Sequence, residues 1–170
     1  MLDALTTTDT LCADLARALA RLIAVPDVPL PADRDVRCWA RIAANHTSDA
    51  WLISWPTGGS VALHDHGGSA GAIAVVAGEL VEITPGRREL TRRVLSVGQV
   101  HDVAPDAVHD VLNVGPMPAL SVHVYSPPLA QMTFYDPTDL RPLRVIEMPA
   151  TENNPSSNGA HDRLVWTTAH

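Results

Sequence analysis

Residues 64–84 read HDHGGSAGAIAVVAGELVEIT. Within this stretch AGAIAVVA and ELVEIT are short apolar runs, and the turn signal AGE separates them. Short runs rich in Val, Ile and Leu, punctuated by glycine, argue for strands rather than a helix. The same texture extends outward from about Val36. Upstream lie RCWARIA and AWLISW; downstream lie LTRRVLS, HDVLNV and ALSVHVY. Breaks such as PTGG, TPGRR, SVGQ, APD and GPMP recur about every eight to twelve residues, the spacing of an all-β sandwich or barrel. The barrel is expected over about 36–148.

The N-terminal segment differs. Leu11, Leu15, Leu19, Leu22 and Ile23 recur at helical spacing and predict a helix over about 8–25. Thr8 or Asp9 is positioned to cap its start, and Pro26 follows its end. The proline-rich connector PDVPLPAD joins it to the barrel. Residues 1–150 therefore read as one domain, and the polar stretch 151–170 as a tail expected to be mobile.

Composition removes several functions. The chain has 170 residues, a formal charge of −7, and twelve basic residues that are all arginine. Without lysine there is no Schiff-base chemistry and no phosphate-binding lysine. An acidic chain offers no electrostatic footprint for nucleic acid. No apolar stretch approaches the roughly 18 residues needed to span a bilayer. No secretory signal is visible at the start, so a cytoplasmic location is expected. Cys12 and Cys38 do not make a disulfide framework. Eight histidines remain as the natural carriers of chemistry.

His64 and His66 alternate with Asp65, which places both imidazoles on one face, about 6–7 Å apart along an extended chain. Such a pair can grip one metal ion. Gly58, Gly71 and Gly78 before and after it, and Pro105, His109 and Asn113 downstream, resemble the two motifs of the cupin superfamily. That resemblance implies a double-stranded β-helix (jelly-roll) barrel with a metal at its centre. A glutamate usually follows the histidine pair by four or five residues, but Ala70 and Gly71 stand here. The implied ligand set is His64, His66 and His109, with no carboxylate. Three neutral ligands leave the full charge of a dication and open positions, which favours an anionic bidentate substrate such as an aminothiolate.

In SVHVYSPP (121–128), Ser121, His123 and Tyr125 share one strand face and Val122 and Val124 the other. A polar row on a barrel wall makes sense when it faces a cavity. Ser121 can then orient His123, and His123 can orient Tyr125 towards a bound ligand.

HDHGGSAGAIAVVAGELVE together with SVHVYSPP resembles the cysteine dioxygenase family of thiol dioxygenases, from about Cys38 to Asp136. The resemblance implies Fe(II) on His64, His66 and His109, and a Ser121–His123–Tyr125 relay. It also implies a cis Ser126–Pro127 peptide. L-cysteine would gain both atoms of dioxygen on sulfur and leave as cysteine sulfinate. Animal members cross-link a cysteine to the relay tyrosine. That position is Gly71 here, as in the bacterial branch, and no such cross-link is expected. Trp39-Ala40-Arg41 matches the family's aromatic-x-Arg pattern and nominates Arg41 for the substrate carboxylate, with Arg37 as competitor. His101 is read as a strand or turn residue, and Trp51, Ile53 and Trp55 as core.

Two rivals stay open. One is the same chemistry on 3-mercaptopropionate or another small thiol. The other is a cupin that binds metal without turnover. A metal-dependent isomerase would want a carboxylate base where Ala70 and Gly71 stand. The oligomeric state is left open, a monomer included.

Overall fold

A computed structural model describes residues 2–23, 37–86 and 89–148. The connector, Arg87, Arg88 and the tail from 149 lie outside the described residues. One helix, α1 (Leu2–Leu22), precedes ten strands. These are β1 (Cys38–Ala44), β2 (Asp49–Trp55), β3 (Ala70–Ala77), β4 (Glu79–Pro85), β5 (Leu90–Ser96), β6 (Val100–Val103), β7 (Asp110–Leu112), β8 (Ala119–Ser126), β9 (Gln131–Tyr135) and β10 (Pro142–Glu147). A five-stranded sheet runs β1-β2-β8-β3-β6; β5-β4-β7 and β10-β9 form smaller sheets. The strands pair antiparallel throughout these sheets. This is the cupin double-stranded β-helix expected from the sequence, with one helix at its N-terminal side.

The core has two parts. Between the sheets lie Trp51, Ile53, Trp55, Ile73, Val75, Leu80, Leu95 and Val111. Outside the five-stranded sheet, α1 seats Cys12 and Ala16 on Ala50, Ala72, Ala74, Val122 and Val124. Alanines on both surfaces let the helix approach the sheet closely. Strand β8 is thereby buried on both faces, which is why its valine row and its polar row are equally dry.

The helix differs from its expected form in two ways. It begins at Leu2, so Thr8 and Asp9 fall inside it rather than at its start. Once nucleated, a helix extends past its packed stretch at little cost. Its buried face is also rotated. Leu15, Leu19 and Ile23 pack against the sheet, but Leu11 is 52% and Leu22 80% exposed, and Cys12 and Ala16 take the contact line. Close packing selected the small residues over the large ones. Among the described residues, no helix is long and apolar enough to cross a membrane.

Ala16 is fully buried against the sheet. Ala16→Leu should overpack this seat and cost about 1–3 kcal/mol in urea denaturation. Leu22→Ala should stay within about 0.5 kcal/mol of wild type. A neutral Ala16→Leu would show that the helix is not docked as described.

Candidate metal centre

The histidine pair lies in the extended segment between β2 and β3 rather than in a regular strand. His64 bridges to His109 on one side and Phe134 on the other. Its backbone N–H donates to the His109 carbonyl at 2.9 Å, and the reverse bond has the same length. Asp65 points away, as alternation requires. Its Oδ1 accepts the N–H groups of Gly67 (3.0 Å) and Thr133 (3.1 Å), and Oδ2 accepts the Tyr135 hydroxyl (2.5 Å). These bonds fasten the segment to β9. At Gly67 the chain turns with φ +61, and a Cβ would meet the Gln131 side chain at 2.5 Å, so only glycine fits.

The buried residues His64, His66 and His109 each offer a ring nitrogen within 4.8 Å of the other two. Their ring centroids are 4.9–5.0 Å apart. His64 Nδ1 lies 2.8 Å from the Ala62 carbonyl, so Nδ1–H donates there and Nε2 is left for the centre. Ala62 holds that carbonyl at φ 70, a left-handed conformation uncommon for alanine. His109 Nδ1 lies 2.8 Å from Glu82 Oε1, and its Nε2 lies 3.4 Å from Nε2 of His66. Burial, then the neighbouring imidazoles, holds His64 and His66 well below the usual histidine range. Converging neutral nitrogens in a dry site suit a metal ion, and these residues fit one.

Beside them runs the β8 row. His123 Nε2 is 3.0 Å from Ser121 Oγ, and His123 Nδ1 is 3.3 Å from the Tyr125 hydroxyl. The Tyr125 ring packs on His66, with centroids 4.7 Å apart. Burial lowers His123 to about 3, so it is neutral. Burial, and then the charge of Asp49, raises Tyr125 above the usual phenol range, so it keeps its proton. The Ser126–Pro127 peptide is cis. In register, Gly71 stands opposite Tyr125. A Cβ at Gly71 would meet the tyrosine ring at 3.2 Å, so glycine leaves room for the ring where it is. Cys12 lies on α1 and Cys38 opens β1, and neither forms a disulfide among the described residues.

The cavity beside this row is lined by His64, His123, Tyr125 and Arg37, with Trp39, Trp51, Leu129 and Phe134 among its apolar walls. Arg41, nominated by the sequence for a substrate carboxylate, is not in that lining. Its guanidinium stacks on Trp51 at 4.4 Å and pairs with the buried carboxylate of Asp49 at 3.3 Å. Asp49 Oδ1 in turn accepts the Leu129 N–H at 3.2 Å. Arg37 enters the cavity instead, stacked over Trp55 at 5.2 Å. Burial lowers its guanidinium to about 10, well above neutrality, so it remains charged. His101 sits on β6 opposite Ile73, outside the histidine cluster.

Two further side chains support the site. Trp55, read as core, donates its indole N–H to Ser121 Oγ at 2.8 Å. Glu82 is a buried carboxylate, and its only sequence signal was a charge inside the apolar run ELVEIT. Burial pushes Glu82 up, but the hydrogen bond and charge of His109, with Arg93, outweigh it and hold the carboxyl below its usual range.

A β-helix barrel holding converging histidines in its interior defines a cupin with a candidate metal centre. The chain belongs to the cysteine dioxygenase type I family, whose model matches residues 31–138. Among solved structures it is similar to an uncharacterized conserved protein with a double-stranded β-helix domain from Klebsiella pneumoniae. That match is 23% identical over 63% of this chain and 90% of the other, with TM-score 0.51. It is also similar to a cupin superfamily protein from Desulfitobacterium hafniense, 18% identical over 64% and 86%, TM-score 0.50. A recombinant oxalate oxidase in complex with glycolate is 17% identical over 66% of this chain, TM-score 0.53; the match spans 63% of that enzyme. These likenesses extend to the fold alone. No curated protein matches the sequence.

A pH dependence follows from His123. An unfolded histidine takes a proton near 6.5, and the folded one resists to about 3. Between those values the unfolded chain binds more protons, so stability present above about 6.5 falls as the pH drops. His64 and His66 act in the same direction. The urea midpoint of metal-free protein should decline from neutral pH into the acid range. His123→Gln should flatten that decline, and an unchanged slope would show that His123 is not held neutral.

Proposed function

We propose that this protein is a mononuclear iron thiol dioxygenase that converts L-cysteine to cysteine sulfinate. The observation that carries the reading is that three elements each present a residue to one cavity, through His64, through His123 and Tyr125, and through Arg37. The elements are the His64–His66–His109 cluster, the Ser121–His123–Tyr125 row, and the Arg37 guanidinium. His64, His66 and His109 would hold Fe(II). When bound, the iron supplies a Lewis acid that deprotonates a ligating thiol and brings it together with dioxygen.

The chain's own residues do the rest. Arg37 binds the substrate carboxylate through its planar fork. Arg41 keeps Asp49 paired and so fixes the wall around Leu129 rather than the substrate. Trp55 can only donate, so Ser121 Oγ accepts from it and turns its own hydrogen to His123 Nε2. His123 Nδ1–H then donates to the Tyr125 oxygen, and the phenol hydrogen is left to face the ligand. A neutral imidazole and a protonated phenol make this chain a positioner of one hydrogen bond over the physiological range. The apolar walls exclude water from the reacting groups.

One observation favours a second reading. Among the described residues, the cavity lining contains no carboxylate to receive the ammonium of an amino acid. A thiol without that group, 3-mercaptopropionate, would lose nothing there. Oxygen uptake by Fe(II)-loaded protein with both thiols side by side decides between them, and inactivity with each would sink the enzyme reading.

Arg37→Gln should lower kcat/KM for the preferred thiol roughly 10- to 100-fold, the worth of a charge-assisted hydrogen bond. Arg41→Gln should act mainly on stability. The reverse pattern would return the carboxylate to Arg41. Tyr125→Phe should retain iron and lose rate, and Gly71→Ala should also lower rate by displacing the Tyr125 ring.

A further inference from the structure

The three-histidine cluster has no carboxylate among its ligating atoms, yet one stands directly behind it. Glu82 lies on β4, between Arg93 of β5 and Val111 of β7. Its side chain is 8% exposed, and its Oε1 is 2.8 Å from His109 Nδ1. Its other oxygen lies 3.8 Å from the Arg93 guanidinium, which is 59% exposed and so screened. A carboxylate flanked by Leu80, Val81 and Ile83 costs several kcal/mol to bury unless it is paired. Here its close partner is one imidazole of the cluster.

We propose that Glu82 is the positioning residue of the metal centre. It accepts the Nδ1–H of His109, locks that ring with Nε2 towards His64 and His66, and provides one imidazole away the negative charge that the ligand set lacks. The proposal rests on the reading that the three histidines hold a divalent metal.

The geometry separates Glu82 from the other supports of the cluster. His64 gives its Nδ1–H to a neutral carbonyl, that of Ala62. His109 gives its own to a charge. A carboxylate behind an imidazole raises the basicity of the other nitrogen, and loss of such a partner typically weakens metal binding about 10- to 100-fold. His109 is therefore the strongest donor of the three. Its backbone, on the segment leading into β7, is bonded to that of His64, and Glu82 fixes the ring that this pairing brings in. Ligand set and carboxylate together leave a dication with a net charge near +1 rather than +2, as in a site where the carboxylate ligates directly, while no coordination position is used.

The test is anaerobic titration of metal-free wild type, Glu82→Gln and Glu82→Leu with Fe(II) and with Co(II), each variant checked by circular dichroism. Glutamine still accepts the Nδ1–H through its amide oxygen but carries no charge. It should weaken binding about 10-fold, and leucine towards 100-fold, each with a shifted Co(II) ligand-field absorption. Wild-type affinity and spectrum in both variants would overturn the proposal. Wild type that binds neither ion would instead sink the metal reading itself. Should either variant fail to fold, NMR of the imidazole nitrogens in metal-free wild type decides: His109 is expected as the Nδ1–H tautomer, and an Nε2–H tautomer refutes the role of Glu82.

Discussion

Everything at the centre of this molecule depends on β8 being dry on both faces. A strand that carries serine, histidine and tyrosine on one face cannot bury that face cheaply. It does so here because each polar atom of the row finds a partner within the row or on Trp55. The other face, Val122 and Val124, is closed by α1. The helix is thus part of the site, since without it the strand would be a solvated barrel wall. Register then distributes the consequences. Tyr125 faces Asp49 on one neighbouring strand and Gly71 on the other, and His123 faces Trp51 and Ile73. A shift of one residue would turn the valines into the cavity and the polar row towards the helix.

Electrostatics follows from that dryness. Burial favours the neutral forms of His64, His66 and His123 and the protonated form of Tyr125. The interior is thus rich in acceptors and poor in charge. The exceptions are the anions at its margins, each tied to a cation or an imidazole: Glu82 to His109 and Arg93, and Asp49 to Arg41. One pair bears on the histidine cluster from behind. The other bears on the wall beside Tyr125. Among the described residues, Arg37 is the arginine that lines the cavity.

What could be read from the sequence was what strand alternation and local spacing encode. The pair His64 and His66, the row Ser121, His123 and Tyr125, and the barrel itself all follow from a two-residue period and regular turns. What could not be read depends on partners distant in sequence. Arg37, Trp39 and Arg41 share one parity, so alternation cannot rank the two arginines. What surrounds Arg41 is set by Asp49 and Trp51 and by a register shift between Arg41 and Ala43. Glu82 was hidden in the same way. A glutamate inside an apolar strand is a signal of a buried partner, but only the β4–β7 pairing brings that partner, His109, within reach. In the helix, the large leucines suggested a face that close packing reassigned to Cys12 and Ala16.

The absence of lysine gains a physical meaning from these contacts. Arg37 lies over Trp55, Arg41 over Trp51 and Arg144 over Phe134. A guanidinium can lay its plane on an aromatic ring and still present donors at its edge, whereas an ammonium is a strongly hydrated point charge without that plane. At Arg41 the stacked plane leaves an edge for Asp49. Arg37, stacked over Trp55, lines the cavity. In a barrel mouth walled by aromatic rings, a cation must tolerate a dry face and still reach a polar partner. Arginine meets both demands at once, which an ammonium cannot do.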